Sequence, residues 1–152
     1  MTTLETLTLI IASYGAILAT FGFIRQHRLD RPMLKPSLNS ILLVGPGASG
    51  GALVSIQVVN HGQRQALVST ITIELPDRRT LALTDAIGTQ LPAVLQQGEV
   101  AVLRTSYRAV AEALMQCDYR SPVTITPMCR DSLGNFHRGK SWKVKPAEWF
   151  NT

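Results

Sequence analysis

The chain has 152 residues, 45% of them hydrophobic, with 15 Lys and Arg against 10 Asp and Glu. That length corresponds to about one compact domain, with no obvious second one. The net charge of +5 raises nucleic acid as a partner, but Arg64, Arg78, Arg79, Arg104, Arg108 and Arg120 are scattered and mostly lack aromatic neighbours. The basic stripe with stacking residues that such binding needs is missing, so no nucleic acid is expected.

In chain order, the first element is "LTLIIASYGAILATFGFI", Leu7 to Ile24, which carries no charge. As a helix it would be roughly 27 Å long, enough to cross a bilayer. Only Glu5 is charged upstream and no small-x-small cleavage site follows, so the run reads as an uncleaved transmembrane anchor over residues 1–25. Arg25, Arg28, Arg31 and Lys35 crowd its C-terminal side while no Lys or Arg precedes it. By the positive-inside rule the N-terminus is expected outside and the rest in the cytoplasm, at a bacterial inner membrane. Cys117 and Cys129 would then be free thiols in a reducing compartment.

Within this helix Ala12, Gly15, Ala19 and Gly22 recur at steps of three and four, with Ala16 beside them. Such a face lets another helix approach closely, which makes these five the candidate helix-docking residues. No His lies inside the run, so it offers no haem or chlorophyll ligand. The next segment, residues 26–36, is basic and holds two prolines, which suits an extended tether. Its basic residues would each gain about 1 kcal/mol near anionic lipid headgroups.

"ILLVGPGASGG", Ile41 to Gly51, places Gly45, Gly47 and Gly50 at the G-x-G-x-x-G spacing of a dinucleotide-binding loop, and Glu74 lies near the distance of a ribose-binding acid. That fingerprint must open a helix, whereas the following "ALVSIQVVN" alternates and is rich in β-branched residues. The glycines therefore read as a turn between strands, and no cofactor is expected. Ala52 to Val59 and Ala66 to Leu75 are predicted strands, and the short "NHG" link predicts that they pair as a hairpin. Thr80 to Leu83 is a short strand, followed by a long loop through Glu99. Glu99 to Thr105 is a strand, and Ser106 caps a helix with Val110, Leu114 and Cys117 in phase. "SPVTITPMCR" and "NFHRGKSWKVK" then form a hairpin around "DSLGN". Counting the segment near Ser37 to Val44, about seven strands result, predicting an antiparallel sandwich over residues 37–145.

The stretches "IQVVNHGQRQALVSTITIEL" and "ITPMCRDSLGNFHR" resemble small immunoglobulin-like domains carried behind one membrane helix in bacterial proteins. The resemblance implies a binding or accessory subunit and supplies no site residues. The immunoglobulin Cys–Trp–Cys order is absent, because Trp142 follows both cysteines.

His27, His61 and His137 have plain readings as surface, turn and strand residues. Cys117, Cys129 and His137 are spaced unlike compact zinc pairs, so no catalytic or metal-ligating residue is expected. In the tail, residues 146–152, Trp149 and Phe150 need a reason to sit at a terminus. They could close the base of the sandwich, reach a membrane interface or fill a partner's pocket, and are the candidate partner contacts.

The sequence therefore predicts a non-catalytic accessory or scaffolding subunit of an integral membrane complex, photosynthetic or respiratory in type. Its partners would be other transmembrane subunits and anionic lipid headgroups. The competing readings are a membrane-tethered nucleotide-binding enzyme using Gly45 to Gly51 and an envelope adhesion module.

Overall fold

A computed structural model describes residues 3–29, 33–42 and 52–150. Strands account for 44% and helices for 27%, and the sheets are antiparallel, which agrees with a mainly β chain. The first element is helix α1 (Thr3–Leu29), 27 residues in one piece. It runs on through residues 26–29, and the first strand begins at Leu34, so both enter the stretch expected to be an extended tether.

The expected transmembrane anchor is corrected here. Among the described residues, no helix is long and apolar enough to cross a membrane. The run that suggested a span is interrupted by Thr8, Ser13, Tyr14, Gly15, Thr20 and Gly22. Each gives back part of what the Leu, Ile and Phe side chains contribute.

The strands in the first half are β1 (Leu34–Leu42), β2 (Ala52–Asn60), β3 (Ala66–Glu74), β4 (Thr80–Ala82) and β5 (Ile87–Gly88). Those in the second half are β6 (Ala93–Leu95), β7 (Val100–Ser106), β8 (Val123–Asp131), β9 (Phe136–Arg138) and β10 (Trp142–Val144). One sheet has the order β1-β2-β7-β5; the other has β10-β8-β3-β4, with β6 also on β3 and β9 on β8. The two short strands β5 and β6 lie in the segment expected to be a loop.

Alternation builds the core between the sheets. On β2, Val54, Ile56 and Val58 are buried to 1% exposure or less, and Leu38 and Leu103 stand opposite Ile56 on the flanking strands. Ile71 and Ile73 of β3 and Ile125 of β8 answer from the second sheet. On β3 the buried positions change phase, from Ala66 and Val68 to Ile71 and Ile73. A register shift between Val68 and Thr70 absorbs the extra residue, so both halves of the strand still face inward.

The predicted β2–β3 hairpin does not form, because β2 and β3 belong to different sheets. Asn60, fully buried, turns the chain between them. Its side-chain Nδ2 donates to the carbonyls of Arg64 (2.7 Å) and Leu95 (3.0 Å), and its Oδ1 accepts from the Gly62 N–H (3.0 Å). Its backbone N–H donates to Glu99 O at 3.1 Å, and its carbonyl accepts from Gly98 N–H at 2.8 Å. A short Asn/Gly link suits a hairpin locally, but these tertiary bonds tie it to the β6–β7 connection instead.

The helix after β7 is α2 (Tyr107–Gln116), and the Ser106 hydroxyl caps it by accepting from the Ala109 N–H at 3.1 Å, as predicted. Tyr107, Val110 and Leu114 face the core. The β8–β9 hairpin around "DSLGN" also forms. A last helix, α3 (Pro146–Phe150), follows β10.

Gly139, between β9 and β10, passes close to β1. A Cβ there would lie 2.1 Å from the Pro36 carbonyl oxygen and 3.0 Å from Pro127 Cγ. Gly139→Ala is therefore expected to push this link off β1, lowering stability by about 1–3 kcal/mol as overpacking does. A fall in the urea midpoint with unchanged slope checks it; an unchanged midpoint would mean that the link shifts freely.

Candidate functional site

Helix α1 presents the most unusual surface. At about 3.6 residues per turn, Ala12, Gly15, Ala16, Ala19 and Gly22 share one side, and Ile10, Ile17, Phe21 and Ile24 occupy the opposite one. Neither side is covered: Ile10 is 61% exposed, Ile17 66%, Phe21 71% and Phe23 74%. All five small residues are exposed, and a Cβ at Gly15 or Gly22 would meet nothing within 4 Å. The Thr20 hydroxyl donates to the Ala16 carbonyl at 2.8 Å, so this polar group is satisfied within the helix and adds no demand for water. A helix this apolar on both sides is normally enclosed by other apolar groups.

The basic residues that follow are placed unevenly. Arg25 and Lys35 are exposed, whereas Arg31 and the Arg28 side chain lie outside the described residues. Gly45, Gly47, Gly50 and the whole 43–51 connection are also outside them. The flanks are informative even so, because β1 and β2 pair antiparallel over their full length, from Leu34 opposite Asn60 to Leu42 opposite Ala52. The chain after the glycines is thus a strand returning beside its predecessor, where a dinucleotide fold needs a helix. Glu74, at the spacing of a ribose-binding acid, is held by Arg138, whose Nε and Nη2 donate at 2.6 and 2.8 Å. That bidentate contact holds the Glu74 carboxyl below its ordinary range.

Trp149 is half-buried and meets Tyr107 edge to face, with ring centroids 4.3 Å apart. The aromatic tail thereby joins α3 to α2 at the base of the sandwich. Phe150 remains 39% exposed, with the Arg108 guanidinium 5.1 Å above its ring.

The clusters of titratable groups have structural partners. Asp131, 5% exposed, accepts from the N–H groups of Leu133 (2.9 Å) and Asn135 (2.8 Å), the Asn135 amide (3.0 Å) and His137 Nε2 (3.0 Å). Burial pushes this carboxyl up, and the four hydrogen bonds outweigh that, holding it below its ordinary value. Asp131 opens the "DSLGN" turn and His137 lies on β9, and the structure joins them. Both cysteines are free. Burial, reinforced by the Asp131 charge, pushes the Cys129 thiol up to about 12, which disfavours the free thiolate that a nucleophile requires. Among the described residues no group of three His, Cys, Asp or Glu could hold a metal ion. An open polar cleft beside Asn60 is lined by Gln63, Gln65, Gln96 and Gln97, all uncharged amides without an acid, base or nucleophile among them.

No protein-family model and no curated protein matches the chain.

Proposed function

We propose that this chain is a non-catalytic accessory subunit of a larger membrane complex. In this reading α1 lays its exposed apolar sides against neighbouring subunits, and the sandwich is carried beside them as a structural module. The observation that carries it is the exposure of α1 on both its large-residue and its small-residue sides. Leaving side chains such as Ile10, Ile17, Phe21 and Phe23 in water forgoes about 1.5–3 kcal/mol each relative to burial. The small-residue side supplies what helix packing among apolar neighbours rewards, a groove in which backbones approach. Arg25 and Lys35, at the end of α1 and the start of β1, suit contact with anionic headgroups bordering such a complex.

The test is substitution within α1 of the full chain, isolated from its native host in mild detergent. Gly15→Leu or Ala19→Leu should cost about 1–2 kcal/mol of association and lower the stoichiometry of co-purifying subunits. Ile17→Leu, on the other side, should leave it unchanged. Wild-type stoichiometry in the Gly15→Leu and Ala19→Leu proteins would refute docking through this face.

A further inference from the structure

The outer face of the β1-β2-β7 sheet holds a polar group without a partner. Because Val54 and Ile56 point into the core, Ser55 between them points the other way, toward the face that should be wet. Yet Ser55 is 0% exposed, and its Oγ has no hydrogen-bond partner. A sealed, unpaired hydroxyl is uncommon in a folded protein and calls for an explanation.

The sheet register places Asn39 of β1 directly opposite Ser55 on one side and Arg104 of β7 on the other. Both are exposed, and among the described residues Arg104 has no ion-pair or hydrogen-bond partner. Strands β1, β2 and β7 contain no Asp or Glu, so no acid on these strands neutralises the guanidinium. Half-buried Ile41, Leu53 and Val102 border the row. An arginine set among apolar side chains is the residue pattern of an interaction hot spot.

We propose that this face docks a partner protein through one carboxylate side chain, an Asp or Glu seated on the Asn39–Ser55–Arg104 row. The Arg104 fork donates two N–H groups to the carboxylate, and the Asn39 amide donates a third. Asn39 and Arg104 flank Ser55 in the sheet, so a carboxylate held between them gives the Ser55 hydroxyl the acceptor it otherwise lacks. The apolar border excludes water from the pair. This contact is independent of α1, and either can fail without the other.

The experiment is an NMR titration of the full chain in a neutral detergent, reading the Arg104 Nε–Hε signal and the Asn39 and Ser55 amides. The probes are the capped peptide acetyl-Gly-Glu-Gly-amide, its Gln counterpart and inorganic phosphate. The expected result is a saturable shift in the millimolar range with the Glu peptide, absent with the Gln peptide and absent in Arg104→Gln. Ser55→Ala supplies the second readout. It should raise the thermal midpoint of the free protein, since an unpaired buried hydroxyl is removed, while weakening the Glu peptide about fivefold, the worth of one hydrogen bond. A purely structural serine would not move the two in opposite directions. Equal shifts with both peptides, no saturable shift, or a lower midpoint in Ser55→Ala would overturn the proposal. Tighter binding of phosphate than of the Glu peptide would overturn the assignment to an acidic side chain.

Discussion

Replacing Asn60 by Ala is expected to lower the stability of the domain by about 3–5 kcal/mol, because several buried groups lose their only side-chain partner at once. The substitution strands the Gly62 N–H and the Leu95 carbonyl, both in buried contacts, and the part-buried Arg64 carbonyl. It also leaves the two connections that Asn60 ties together with backbone bonds alone. A single domain has only about 5–15 kcal/mol in total, so the variant should unfold at markedly lower urea with an unchanged slope. Asn60→Asp should be no milder, since it would set a carboxylate against two carbonyl oxygens. A midpoint near wild type in both variants would show that the chain crosses between sheets without this side chain.

Asp131→Asn is expected to cost about 2–4 kcal/mol at neutral pH, because one carboxylate serves four donors and an amide cannot accept from all of them. The wild type should also lose stability in acid through this group. Its carboxyl titrates lower in the folded chain than the ordinary 3.8, so its contribution is complete above that value and disappears as pH falls through the folded value. Asp131→Asn should flatten that part of the profile of unfolding free energy against pH. Equal acid slopes in the two proteins would assign the loss to other carboxylates, such as Glu74 paired with Arg138.

The elements legible in the sequence are those whose signals are local. Alternation over Ala52 to Val59, the Ser106 cap and the "DSLGN" turn need only neighbouring residues, and the structure contains all three. The separation of β2 and β3 into different sheets was not legible, because "NHG" is a turn sequence whichever strand follows it. What decides the outcome is that Asn60 finds Leu95 and Glu99, which are remote in sequence. Strands β5 and β6 are two and three residues long, too short for a periodicity, and exist only by pairing with β7 and β3. Over Leu7 to Ile24 the lack of charge signals a span, but the run also holds Thr, Ser, Tyr and Gly, and among the described residues no helix is long and apolar enough to cross a membrane. For the candidate sites, the small-residue periodicity of α1 was visible. The Asn39–Ser55–Arg104 row was not, since it depends on which strands lie side by side.

The attachment of α1 also has a mechanical meaning. Only residues 30–33 separate its last residue from β1, so tension applied to the helix enters the sandwich at Leu34. Strand β1 is an edge strand, paired with β2 at nine consecutive positions. Ladder hydrogen bonds lie across the strands, and a pull along β1 therefore strains them together in shear, whereas a pull at right angles would open them one by one. The pull would also drag Pro36 past the link at Gly139, whose tight fit against the Pro36 carbonyl resists sliding. A pull on α1 directed along β1 would thus load nine ladder positions of the edge strand at once.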